Sequence, residues 1–77
     1  MITSDQIRAA RAMLRWTGKD LAEQSGVGFS TLMRLEVEDG VPKAQAKTLE
    51  AIRKTFEKAG IEFIGSPDDA PGVRLRK

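Results

Sequence analysis

The sequence predicts a mainly α fold: a bundle of about four helices followed by a short C-terminal β-hairpin or strand pair. Two observations predict it. Four segments before Gly60 carry apolar residues at helical spacing, between residues that cap or break helices. Beyond Gly60 the pattern changes to short stretches rich in β-formers around a cluster of turn residues. At 77 residues the chain supports one small core, near the lower end of what folds unaided.

The elements follow in order. Thr3 and Gln6 have the spacing of a capping box, a hydroxyl cap followed three residues on by an amide. Ile7, Ala10 and Leu14 then form one apolar stripe, and this helix should end near Arg15–Trp16. Thr17 caps a second, short helix, with Asp20 favouring its positive end. Leu21 and Ala22 face the core, and Gly26 suits a left-handed stop. A third helix starts at about Phe29, turns Leu32 and Leu35 inward, and ends before Asp39-Gly40. Val41-Pro42 forces an extended step. The fourth helix carries Leu49, Ile52, Phe56 and Ala59, and Gly60 stops it. Ile61 to Ile64 is too short for a helix. "GSPDDAPG" is dense in turn residues, and "VRLRK" alternates apolar and basic. Val73 and Leu75 should face inward, with Arg74, Arg76 and Lys77 outward. Residues 1–60 read as the helical domain and 61–77 as a β tail, part of that domain or of a dimer interface.

Composition excludes several classes of function. The chain has neither cysteine nor histidine, so it lacks disulfides, thiolate ligands, the commonest zinc ligand and the commonest general base. Absence of cysteine fits a reducing, cytoplasmic setting. No run of about 18 apolar residues is present to span a membrane. "MITSDQIRAA" lacks the basic and apolar regions of a secretory signal. The carboxylates Asp5, Asp20 and Glu23 fit capping or solvated faces. With no nucleophile–base pair, glycine-rich phosphate loop or metal cluster, neither enzymatic activity nor a cofactor is expected. The net charge of +2 is uneven: residues 26–40 are acidic and 41–60 basic. It permits a nucleic-acid partner without requiring one.

The interruption of "DLAEQSGVGFSTLMRLE" by two glycines has a geometric use. Gly26 can take positive φ, Val27 can plug the core, and Gly28 can stand at the next N-cap. Two short helices then meet at a steep angle, which is the helix-turn-helix arrangement. "TGKDLAEQSGVGFSTLMRLE" resembles the helix-turn-helix of the Cro/repressor-like, or XRE, family of bacterial and phage regulators. The resemblance runs from Thr3 to about Ala59. It is strongest at Leu21-Ala22, Gly26-Val27, Ser30-Thr31-Leu32 and Leu35-Glu36.

The resemblance implies a lambda-repressor-like bundle and a set of DNA-contacting positions. The third helix would enter the major groove and read bases with Phe29, Ser30, Thr31 and Arg34. Arg34 can donate two bonds to guanine, or hold a phosphate. Ser30 and Thr31 can reach a base edge or a phosphate, or complete the helix cap. Phe29 is either an exposed contact for a thymine methyl or a core residue. Phosphate contacts would come from Thr17, Gly18, Lys19, Gly28, Lys43 and Lys47. Arg11 and Glu36 would form an ion pair joining the first helix to the third. Three positions depart from the family pattern: Gly18 stands where a glutamine is usual, Gly28 where Ser or Thr is usual, and Val37–Gly40 is acidic. The function expected is a double-stranded DNA-binding regulator, a repressor acting as a homodimer. The alternative is a protein-interaction module or antitoxin that binds another protein.

Overall fold

The computed structural model describes residues 1–76, so the orientation expected for Lys77 lies outside it. Four helices, α1 (Ser4–Leu14), α2 (Gly18–Ser25), α3 (Phe29–Glu36) and α4 (Ala46–Lys58), precede β1 (Ile61–Ser66) and β2 (Asp69–Leu75). The strands pair antiparallel as a two-stranded sheet. No described helix is long and apolar enough to cross a membrane.

Local chemistry sets the helix ends. The Thr3 hydroxyl accepts from the Gln6 N–H, and the Gln6 carboxamide oxygen accepts from the Thr3 N–H. Thr17 and Asp20 repeat this reciprocal box on α2, so Asp20 serves as a capping partner as well as a dipole charge. α1 stops at Arg15, whose φ of 58° is left-handed. α2 stops at Gly26, with φ of 74°. Ala59 is not part of α4 but its C-cap. Gly60 follows with φ of 103°, and its carbonyl accepts the Arg76 N–H at 2.7 Å.

The core comprises Ile2, Ile7, Ala10, Leu21, Leu32, Leu35, Leu49, Ile52, Phe56 and Ile61. Val27 is half-buried and packs against it. Phe56 is fully enclosed and anchors an aromatic row. Trp16 stacks on it at 5.7 Å between centroids, and Phe63 from β1 meets it edge-on at 6.1 Å. Val73 and Leu75 also pack on this core, while Arg74 and Arg76 are exposed. The sheet is therefore a lid on the helices.

The hairpin differs from the sequence expectation in its turn. The strands run into "GSPDDAPG", leaving Pro67 and Asp68 as the turn, with Ser66 opposite Asp69. The ladder is irregular between Ile64 and Ser66. There Gly65 has φ of 75° and Ala70 has φ of 52°. A β-carbon on Gly65 would run into the Ala70 carbonyl, so glycine permits the bulge.

Gln6 joins this lid to α1. It is 4% exposed, and its amide nitrogen donates to Gly72 O at 2.8 Å and Ile64 O at 3.2 Å. Those residues face each other across the strands. One side chain thus caps α1 and ties both strands. On the outer face, Glu62 bridges Arg74 and Arg76. The hydrogen bond from Arg74, then that from Arg76, holds its carboxyl below the ordinary 4.5.

Gln6→Ala removes a cap and strands two carbonyls, which should cost about 2–3 kcal/mol. Urea denaturation measures the loss, and amide exchange should show the hairpin losing protection first. A cost below about 0.5 kcal/mol would show that the sheet does not depend on Gln6. Glu62 makes the outer-face bridge pH-dependent. Its depressed value means the stabilisation is present above 4.5 and fades as pH falls through the folded-state value. The stability gap between wild type and Glu62→Gln should therefore narrow as pH is lowered below 4.5. A gap that widened in acid would give this bridge the wrong sign.

Candidate nucleic-acid interface

α3 is held at its C-terminal end by a polar row on α1. Ser4, Arg8 and Arg11 lie at i, i+4 and i+7, one helix face. The Ser4 hydroxyl donates to Leu35 O at 2.6 Å, and Arg8 Nη1 donates to Glu36 O. Arg11 grips the Glu36 carboxylate with two bonds, Nε to Oε2 at 3.0 Å and Nη2 to Oε1 at 2.8 Å. Its Nη1 donates to Trp16 O at 3.1 Å. The last carbonyls of α3, which have no partner within the helix, are thus satisfied by α1. Glu36 is 4% exposed. Its hydrogen bond raises the Arg11 pKa against the opposing effect of partial burial, so the guanidinium stays charged. Arg8 also pairs with Asp5 on its own helix.

With its C-terminal end fixed, α3 turns its N-terminal half outward. Gly28 is the N-cap and offers no side-chain bond. Ser30 is exposed and Thr31 half-buried. Phe29 is 45% exposed and lies outside the core cluster. The ring is not free on all sides, however. A β-carbon on Gly18 would stand 2.8 Å from Phe29 Cε1 and 2.6 Å from Met33 Cε. The first turn of α2 and the start of α3 therefore meet where Gly18 has no side chain. The glutamine usual in the Cro/repressor-like pattern would need that space.

Arg34 lies exposed but tethered. Its Nη1 donates to Glu38 Oε2 at 3.0 Å and to Lys43 O at 3.3 Å. The other oxygen of Glu38 accepts from Lys43 N at 2.7 Å. The acidic stretch is thus partly internal structure, since Glu38 neutralises Arg34 and fixes the loop before α4. Its signal was present as the i, i+4 spacing of Arg34 and Glu38.

The remaining positions flank α3. Lys19, Lys43 and Lys47 are exposed, and none forms an ion pair among the described residues. Lys19 follows Gly18, the residue against which Phe29 and Met33 lie. Lys43 is joined to Arg34 through its carbonyl. Lys47 sits in the first turn of α4. The Thr17 hydroxyl already accepts from Asp20 N and can still donate its proton. Ser4, Arg8, Met33 and Glu38 were not singled out by sequence. The roles of Ser4 and Arg8 depend on contacts 31 and 28 residues away, which no local pattern encodes.

No protein-family model and no curated protein matches the chain. The face itself offers hydroxyls, one guanidinium and an aromatic ring on α3, and Lys19, Lys43 and Lys47 are exposed on the neighbouring segments.

The Arg11–Glu36 pair is the joint on which this presentation turns. Arg11→Met leaves a buried carboxylate unpaired and should cost about 3 kcal/mol. Adding Glu36→Leu removes that orphan charge and should recover most of the loss. Urea midpoints of the single and double variants measure both effects. A double variant no more stable than Arg11→Met would mean that the buried charge is not the source of the cost.

Proposed function

We propose that the chain is a sequence-specific double-stranded DNA-binding regulator of transcription, a repressor acting as a homodimer in the cytoplasm. α2, the Gly26–Gly28 turn and α3 serve as the helix-turn-helix of a lambda-repressor-like bundle. α3 enters the major groove, Ser30, Thr31 and Arg34 meet base edges, and Lys19, Lys43 and Lys47 meet phosphates. One observation carries this reading: α3 is clamped at its C-terminal end by α1 and keeps its polar N-terminal half on the surface. An α-helix fits the major groove, and its N-terminal residues are the ones that reach bases in such docking.

Homodimer formation follows from the small size of the reading element. A helix of 8 residues spans only a few base pairs, so a two-fold site with half-sites about 34 Å apart, or a multiple, gives useful selectivity. The sheet has two strands, and outer edges of this kind invite strand pairing.

A second reading, a protein-interaction module or antitoxin, draws on the exposed apolar side chains of the same helix. Val37, at its C-cap, is 78% exposed and Phe29 is 45% exposed. Single apolar side chains at a surface are common, so this reading ranks second.

Fluorescence anisotropy at two salt concentrations separates the two. Duplexes from upstream of the gene are compared with scrambled controls. Specific regulation predicts one duplex bound about a thousandfold more tightly than its control near physiological salt. Equal, weak binding that vanishes with salt would sink the regulator reading and favour the protein-partner one.

Variants sort the roles. Arg34→Ala should weaken the preferred duplex by about 1–3 kcal/mol and relax base choice. Lys43→Ala should weaken preferred and scrambled duplexes alike and lower the salt slope by about 1. An Arg34→Ala protein with unchanged base preference would remove Arg34 from the reading set.

A further inference from the structure

We propose that the depression between α2 and α4 is a binding site for a small aromatic carboxylate. The proposal stands apart from the DNA-binding reading: none of the residues involved belongs to α3, and none has been given a contact with DNA.

The depression measures about 350 Å³ and is lined by Trp16, Gln24, Lys54, Thr55, Lys58 and Ala59. Trp16 lies in the link between α1 and α2, and Gln24 in the last turn of α2. The other four belong to the second half of α4 and its C-cap. Sites for small ligands begin at about 300 Å³ and combine an apolar wall with a few polar groups. Trp16 supplies that wall. Its ring stacks on the enclosed Phe56, and its carbonyl is held by Arg11. The ring is therefore positioned before any ligand arrives, which lowers the entropy lost on binding. It is only half-buried, so its remaining surface meets the depression.

The polar groups are cationic. Lys54 and Lys58 are four residues apart, on one face of α4, and both are exposed. Neither forms an ion pair among the described residues. The acids of this helix are committed elsewhere, since Glu50 and Glu57 both pair with Arg53. Among the described residues lining the depression, none is a carboxylate. Like charges one turn apart repel, and the helix dipole accounts only for Lys58, in the last turn. An anion placed between the two ammoniums relieves that repulsion. Gln24, on the α2 side, adds an amide that can donate to the same anion.

These groups together define the ligand. An aromatic ring packs on Trp16 by offset or edge contact, and a carboxylate on the same molecule reaches the lysines. An organic cation meets two like charges. A small inorganic anion leaves the indole uncovered and gains only screened attraction at a surface.

The test uses the intact protein and benzoate, with benzamide and acetate as controls. Trp16 is the only tryptophan, so its indole N–H gives one isolated signal in a proton–nitrogen correlation spectrum. Benzoate should move that signal, with those of Gln24 and Ala59, along a saturable curve with a Kd of about 1 mM. Benzamide, which keeps the shape without the charge, and acetate, which lacks the ring, should each bind about fivefold more weakly or worse. The double variant Lys54→Gln/Lys58→Gln should lose about tenfold and bind benzoate no better than benzamide. Gln24→Glu, which brings a carboxylate to the α2 side, should weaken benzoate about threefold or more. All three side chains are exposed, and circular dichroism checks that the variants fold.

Three outcomes overturn the inference. No saturable shift at about 20 mM benzoate removes the site. Equal binding of benzamide removes the carboxylate from recognition. Undiminished benzoate binding in the lysine double variant assigns the anion to other cations. None of these results bears on DNA binding, which the anisotropy measurements decide separately.

Discussion

The carboxylate of Glu36, buried against Arg11, is the constraint on which the arrangement of the helices depends. A charge taken out of water needs a partner and hydrogen bonds in fixed positions. Arg11 supplies two of them, and the neighbouring carbonyls of Leu35 and Glu36 take further bonds from Ser4 and Arg8. The net stability of such a pair is small or even unfavourable compared with apolar packing. Its effect here is on direction: α3 has one acceptable rotation and tilt relative to α1. The outward side chains of α3 inherit that orientation.

The same economy governs the surface charges. Glu38 sits in a stretch that by sequence reads as an acidic loop facing whatever binds α3. Both of its oxygens are committed, one to Arg34 and one to the Lys43 N–H. It therefore holds the chain between α3 and α4 while reducing the positive potential at Arg34. A phosphate or base that competes for Arg34 must displace or share that carboxylate, which favours ligands able to use the guanidinium's remaining N–H groups. Asp39 remains as an exposed acid beside it.

Local features of this fold were legible in the sequence. Thr3 with Gln6, Thr17 with Asp20, Gly26 and Gly60 announce helix ends because capping acts over three or four residues. Alternation in "VRLRK" announced which strand residues face inward, because that period is also local. The hairpin turn is shorter than its cluster of turn residues suggests. Turn-forming residues within a strand look the same as those in a loop, and Gly65 and Ala70 serve a bulge. The Arg11–Glu36 pairing was reached only through resemblance to a family, since 25 residues separate the partners. Contacts beyond any pattern were missed altogether: the second role of Gln6, the clasp of Ser4 and Arg8, and the space above Gly18 that Phe29 and Met33 fill. In the candidate site, the positions come from the family resemblance, and neither the resemblance nor the spacing tells which of them are tethered, braced or free.

The Gln6 clamp also bears on the order in which the chain assembles. Capped helices form from contacts between near neighbours, and the α1–α3 joint closes loops of about thirty residues. The clamp on Gly72 joins residues 66 apart, nearly the whole length of the chain. Loop-closure entropy rises with separation, and contacts of this kind slow folding. The polar face of α3 can therefore be oriented while the sheet is still open. Docking of the sheet then becomes the closing event, the one that packs Phe63 against Phe56 and converts a set of capped helices into a cooperative unit.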